Sequence, residues 1–212
     1  VFELEVGYQF TPEMLLAVNA FHISTRDVII YGSEGEGESF DEWYESYEKS
    51  GSKGFELVYS IRKKKWYSHL TYSFSQAISD NTVDKYVVPQ TSKQYVGMAA
   101  HKVTLNTNIY LTPKLSVSPT FVFSGRKYAY TSVDENYEPV ASALDPYFLA
   151  NIFFNYRNLL PGLTAGAGAY DLFNERPGIP QAYNGGQGAY APIPGRGREW
   201  VIKLSYQVNF KK

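Results

Sequence analysis

Residues 200–210, Trp200-Val201-Ile202-Lys203-Leu204-Ser205-Tyr206-Gln207-Val208-Asn209-Phe210, decide the fold. Every even position is apolar: Trp200, Ile202, Leu204, Tyr206, Val208 and Phe210. The odd positions Lys203, Ser205, Gln207 and Asn209 are polar, and Val201 is the exception. Successive residues of a β-strand point to opposite faces, so this period of two predicts a strand with one greasy, aromatic-tipped face and one wet face.

Eight more segments of the same kind precede it. Phe2, Leu4, Val6, Tyr8 and Phe10 alternate with Glu3, Glu5, Gly7 and Gln9. Leu70, Tyr72 and Phe74 alternate with Thr71, Ser73 and Ser75, and Phe148, Ala150, Ile152, Phe154 and Tyr156 with Asn151, Asn155 and Arg157. The pattern predicts nine strands, at about 1–11, 15–31, 54–62, 66–79, 99–111, 115–130, 146–157, 163–174 and 198–210. Two are less regular. In 15–31, Leu16, Val18, Ala20 and His22 share one face while Phe21 and Ile23 fall on the other; in 163–174, Ala165, Ala167 and Ala169 oppose Gly166 and Gly168. The small residues there imply close approach by something packed inside.

The links alternate in length. Turns of a few residues, at 11–14, 62–65, 112–114 and 158–162, are separated by long polar stretches at about 32–53, 80–98, 131–145 and 175–197. Short turns at one end and long loops at the other mark an up-and-down transmembrane barrel. The recurrence of hairpins also raises a β-propeller, but propeller blades do not give a consistent short–long alternation with aromatic outer faces. In a sandwich the apolar face would meet a second sheet; here the opposite face is polar throughout, as a water-filled lumen requires. Nine is an odd number, and an open sheet edge cannot sit in hydrocarbon. The expectation is therefore that residues 1–212 form the C-terminal portion of a larger barrel, with earlier strands and any further domain upstream.

Composition agrees. The 212 residues carry a net charge of −1, which points away from nucleic acid as a partner. There is no cysteine, and aromatics reach 17% with 19 Tyr and 13 Phe, a usage suited to membrane-interface girdles. No apolar run approaches the ~20 residues of a membrane helix, which half-apolar strands do not need.

The chain resembles the C-terminal part of a TonB-dependent outer-membrane receptor. The resemblance rests on Phe2–Pro12 with Leu16–Asp27, on Leu163–Glu175, where Asp171-Leu172-Phe173 stands at a motif that is commonly Asn-Leu-Phe, and on the closing strand Pro194–Phe210, where a terminal Phe is usual. One departure is that Lys211 and Lys212 follow Phe210. The resemblance implies an all-β barrel of about 22 strands around a plug, with this chain supplying its last nine. It also implies capture of a scarce small nutrient such as a metal chelate, and import with energy from an inner-membrane complex. A passive porin-type channel is the alternative, and a soluble β-rich binding module a more distant one.

Candidate binding residues lie in the long loops. Trp43, Tyr44 and Tyr47 sit in an acidic stretch, 33–53, with Glu34, Glu36, Asp41, Glu42 and Glu45; the segment Phe40–Tyr47 is either an extended loop or a short helix. Tyr183, Tyr190 and Arg196 belong to the last loop. Exposed aromatics are good ligand anchors. His22, His69 and His101 have no metal-ligand spacing, so no metal or cofactor is expected, and no nucleophile–base or paired-carboxylate arrangement indicates an enzyme. Lys63-Lys64-Lys65 reads as a charged turn.

Overall fold

A computed structural model describes residues 1–36, 39–78, 87–88, 93–136, 139–181 and 191–208. Among the described residues there are thirteen strands. They are β1 (Phe2–Thr11), β2 (Met14–Glu36), β3 (Ser39–Arg62), β4 (Trp66–Ala77), β5 (His101–Tyr110), β6 (Leu115–Ser124), β7 (Lys127–Val133), β8 (Pro139–Leu144), β9 (Tyr147–Leu160), β10 (Leu163–Tyr170), β11 (Gly178–Ile179), β12 (Ile193–Pro194) and β13 (Glu199–Tyr206). Nine of them form one sheet in the order β1-β2-β3-β4-β5-β6-β9-β10-β13. Every neighbouring pair is antiparallel. The pairs β7–β8 and β11–β12 stand apart from it.

Directly paired residues share a face, so the register can be followed across the sheet. One row reads Val6, Val18, Leu57, Tyr72, Val103, Phe123 and Phe148. Further along, Phe154, Ala167 and Ile202 share that face, and so do Tyr156, Ala165 and Leu204. The alternate rows are polar: Glu5, Asn19, Glu56, Ser73, Lys102 and Ser124, then Ser60, His69, Asn106, Thr120 and Asn151. The polar face is the concave one, because residues of β4, β5, β6, β9, β10 and β13 on that face close around a shared cavity of about 430 Å³. Nothing in the sheet covers the apolar face: Ile202 is 82% exposed and Leu204 69%. A sandwich, and with it the soluble-module reading, would have buried that face.

The polar face is less uniform than the sequence suggested. Phe21, Val58, Val122 and Phe153 lie on it by register, as do the charged Glu56, Lys102 and Lys203. Phe153 explains the small residues of β10. A Cβ at Gly166 would stand 2.7 Å from its ring, and one at Gly168 would strike both that ring and the Ile152 carbonyl. The close approach is therefore made by the neighbouring strand's own side chain, which covers the glycines from the polar side.

Pro119 sits inside β6 and lacks the N–H a central strand donates. The β5–β6 register skips Thr107 and Asn108. A side-chain bond repairs the gap: the Ser118 hydroxyl donates to Asn108 Oδ1 at 2.8 Å. Next to it, Ser68 and Thr107 hydroxyls meet at 2.9 Å.

The short-turn end is laced sideways from hairpin to hairpin. Arg62 N–H donates to Glu13 O (2.8 Å), Tyr110 to Lys65 O (2.8 Å), Arg157 to Lys114 O (2.8 Å) and Gln207 to Gly162 O (2.9 Å). Lys63 pairs with Glu13, so the lysine turn is tied to its neighbour. Within the turns, the Thr112 hydroxyl accepts from Leu115 N–H at 2.9 Å, and Gly162 takes φ 77°.

Strand limits differ from the sequence reading in several places: β9 runs on to Leu160 and β10 stops at Tyr170. β2 and β3 are 23 and 24 residues long and paired without slippage from Met14–Ile61 to Glu36–Ser39. Residues 39–53 are thus strand, neither loop nor helix. The stretch expected to be one strand at 115–130 is split between β6 and β7. The closing strand ends at Tyr206; Val208 lies beyond it, and Phe210 lies outside the described residues.

Candidate functional site

The long-loop end is where separate elements meet. About nine to eleven residues of strand cross a bilayer, so about a dozen residues of β2 and of β3 project past it, roughly 40 Å of ribbon at ~3.4 Å per residue. On one face of this ribbon the Tyr31 and Tyr44 rings lie 5.6 Å apart, and the Tyr31 hydroxyl donates to Glu42 Oε1 at 2.6 Å. On the other, the Trp43 indole lies across Gly32, where a Cβ would stand 2.7 Å from Nε1. Ile30, on that same face, is buried.

Residues 87–88 and 93–98 fold back against the ribbon's base. Val87 and Val88 are buried, and the Tyr95 hydroxyl donates to Gly51 O at 2.6 Å. The Gln94 side-chain amide donates to Met98 O and Arg126 O, each at 2.9 Å. Gly97 N–H reaches Tyr128 O of β7 at 2.6 Å. Ala129 is buried there, and burial pushes the Tyr130 phenol above its ordinary range. Gly178 of β11 in turn comes close to Leu144 of β8. The ribbon, residues 93–98, β7–β8 and β11–β12 thus border a common rim.

The last loop is anchored by a polar corner. Asp171 is buried, and its N–H donates to Asn151 Oδ1 at 2.9 Å. Its carboxylate accepts from Glu175 N–H at 3.0 Å. Asn174 Oδ1 accepts from Arg198 N–H at 3.0 Å, holding the loop's exit against its entry. Asp171, Asn174 and Arg176 all adopt positive φ, as does Gly197, a conformation that Asn and Asp tolerate better than most residues. Asp171-Leu172-Phe173 is therefore a fixed corner, with Phe173 stacked on Phe148 at 6.2 Å.

Trp43, Tyr44 and Arg196, expected to bind ligand, lie at separate places on the rim. Trp43 and Tyr44 lie on opposite faces of the ribbon. Tyr47 pairs in register with Val28. Arg196 is 85% exposed and its guanidinium is 3.5 Å from Glu199. Tyr183 and Tyr190 lie outside the described residues. Tyr31 and Tyr95 were not among the expected binding residues; Tyr31 closes the stretch expected as strand at 15–31. The histidines are wall residues: His69 Nδ1 meets Ser60 at 2.8 Å on the polar face, and His101 Nδ1 meets the Tyr72 hydroxyl at 2.9 Å on the apolar face. Among the described residues no group of His, Asp and Glu could hold a metal.

The cavity on the concave face lies toward the short-turn end, between Asn108, Ser116, Asn155, Arg157, Lys203 and Ser205. Arg157 lies over the Tyr110 ring at 5.7 Å. The cavity presents two cations and a set of hydroxyls and amides to the lumen.

An antiparallel sheet with an uncovered apolar face, a polar concave face, tight turns at one end and a built rim at the other is the wall of a transmembrane β-barrel. The family pattern for the TonB dependent receptor-like β-barrel matches residues 2–172, and the chain belongs to that family. Its place is the bacterial outer membrane. No curated protein sequence matches the chain significantly. Among solved structures, the ferric-catecholate import receptor Fiu from E. coli K12 is similar at a TM-score of 0.70 and 17% identity over 96% of this chain. The siderophore receptor PirA from Acinetobacter baumannii gives 0.71 and 16% over 96%. FpvA of P. aeruginosa, solved bound to heterologous pyoverdines, gives 0.72 and 13% over 96%. The chain spans only 27%, 31% and 26% of those three proteins.

Proposed function

We propose that this chain is the C-terminal barrel wall and part of the outer mouth of an outer-membrane receptor that captures a small metal chelate and imports it with energy from an inner-membrane complex. The observation that carries this reading is the family match over residues 2–172. The names of the similar structures, siderophore and ferric-catecholate receptors, supply the ligand class.

In this reading the apolar face meets lipid, including Trp200, Ile202, Leu204, Tyr206, Val208 and Phe210. The edges of β1 and β13, each with one neighbour in the sheet, pair with upstream strands. The concave face receives an upstream plug, and Arg157 and Lys203 offer it partners for carboxylates. The ligand is met at the rim, where the Tyr31–Tyr44 and Trp43 faces, Tyr47 and the loop carrying Tyr183, Tyr190 and Arg196 supply aromatic and polar contact. Rigid aromatics give contact area at low entropic cost.

Growth under iron starvation tests it, in a strain whose uptake depends on the full-length receptor. A panel of ferric chelates should reveal at least one that restores growth with the inner-membrane complex intact and fails without it. Growth that is indifferent to that complex would support a passive channel instead.

A further inference from the structure

The apolar face of β1–β4 carries a groove of about 390 Å³ at its long-loop end, lined by Phe2, Phe55 and Phe74 together with His22, Lys53 and Gln76. Seven of its nine lining residues lie on the face of the apolar rows, since Phe2 pairs with His22, His22 with Lys53, Lys53 with Gln76, and Ala20 with Phe55 and Phe55 with Phe74; Phe21 and Gly54 of the opposite face border it. Its floor is aromatic: Phe55 and Phe74 are 5.7 Å apart, and Phe74 lies 5.0 Å from His101.

Beyond this floor the face turns cationic. Arg26 pairs directly with Lys49, and both share the face of Lys53. The two rows are four residues apart along β3, about 13 Å. Like charges placed directly opposite each other on a sheet are destabilising, and among the described residues none of Arg26, Lys49 or Lys53 has an ion-pair partner. All three are exposed. The arrangement therefore has an apolar slot with three uncompensated cations at and beyond its end; counted along β3 from the short turn at 62–65, Lys53 falls at the end of the ~9–11 strand residues that cross a bilayer.

We propose that this groove binds a phosphorylated lipid of the outer leaflet, with its acyl chains against Phe2, Phe55 and Phe74 and its phosphates between Lys53, Lys49 and Arg26. Charge-assisted bonds to phosphate relieve the Arg26–Lys49 repulsion. A free anion would use the cations and leave the aromatic slot idle. The proposal rests on the apolar face meeting lipid.

The test uses the full-length receptor in phosphatidylcholine nanodiscs doped with a diphosphorylated glycolipid or its dephosphorylated counterpart, with bound lipid read by native mass spectrometry. Retention of the phosphorylated form is expected to exceed the dephosphorylated form at least tenfold. It should fall at least tenfold in Arg26→Gln/Lys49→Gln/Lys53→Gln and persist in Arg26→Lys/Lys49→Arg/Lys53→Arg. Heat-modifiable mobility of every variant shows that the barrel inserts, which separates failure of this site from failure of the lipid-face reading; Lys53→Gln alone serves if the triple variant does not assemble. Equal retention by wild type and the triple variant, equal retention of the two glycolipids, or displacement by millimolar inorganic phosphate would each overturn the proposal.

Discussion

Trp43 and Tyr44 are neighbours in sequence and point to opposite faces of the β2–β3 ribbon: the Trp43 indole covers Gly32, while Tyr44 packs on Tyr31 with ring centroids 5.6 Å apart. A small ligand held at the mouth touches one face of a ribbon, so only one of the two is available to it. Trp43→Ala or Tyr44→Ala, but not both, should weaken chelate binding by the full-length receptor about tenfold or more, a cost of ~1.4 kcal/mol. Isothermal titration of both variants decides it. Equal losses from the two would mean that the ribbon is gripped from both sides.

The two faces of β13 differ in what they tolerate. Leu204 shares the apolar face with Ala165, and Ser205 lines the concave cavity. Leu204→Arg should destabilise the membrane-inserted receptor by ~2–4 kcal/mol if the position is near mid-bilayer, and Ser205→Arg by far less. Denaturant unfolding from phospholipid vesicles measures both, and equal costs at the two sites would contradict the face assignment.

The glycines of β10 make a finer distinction. At Gly166 an added Cβ meets chiefly the Phe153 ring, whereas at Gly168 it also meets the Ile152 carbonyl. Overpacking of this kind typically costs ~1–3 kcal/mol. Gly166→Ala should be rescued by Phe153→Leu, because a side chain can be trimmed. Gly168→Ala should not, because backbone cannot. Assembly yield of the four single and double variants provides the comparison.

How much of this was legible follows from where the hydrophobic effect acts. The nine strands of the sheet are readable because lipid on one side and lumen on the other impose a period of two on Phe2–Phe10, Leu70–Phe74 and Phe148–Tyr156. The upper halves of β2 and β3 carry no such pattern. Ser33-Glu34-Gly35-Glu36 and Asp41-Glu42 are acidic and glycine-containing, and the ladder that pairs them is made by the backbone, which leaves no trace in side-chain hydrophobicity. The β7–β8 pair escaped because the tyrosines of Lys127–Tyr130 read as more of the same strand, although Gly125 and Arg126 separate β6 from β7. The rim contacts, such as Tyr95 with Gly51, are long-range and depend on loop conformation rather than on local sequence.

The polar corner at the last loop was noticed as a motif, and its mechanism was not. Asn174 combines φ 59° with a bond to Arg198 N–H. Asn174→Ala loses the acceptor and strains the backbone, so residues 175–197 should become the first site of limited proteolysis. Asn174→Gly keeps the backbone conformation open and should be cut more slowly than the alanine variant. Identical cleavage rates would show that this corner does not anchor the loop.

The central claim is that one face of this nine-stranded sheet lies against lipid and the other against the lumen. The chain has no cysteine, so in a cysteine-free full-length receptor a spin label can be placed at each position from Glu199 to Tyr206 in turn. Collision with oxygen, which concentrates in the bilayer, should peak at Trp200, Ile202, Leu204 and Tyr206. Collision with a water-soluble nickel chelate should be lowest at those same positions, and higher at Lys203 and Ser205 wherever the lumen admits it. A profile without a period of two, or with oxygen peaking at Lys203 and Ser205, would contradict the account.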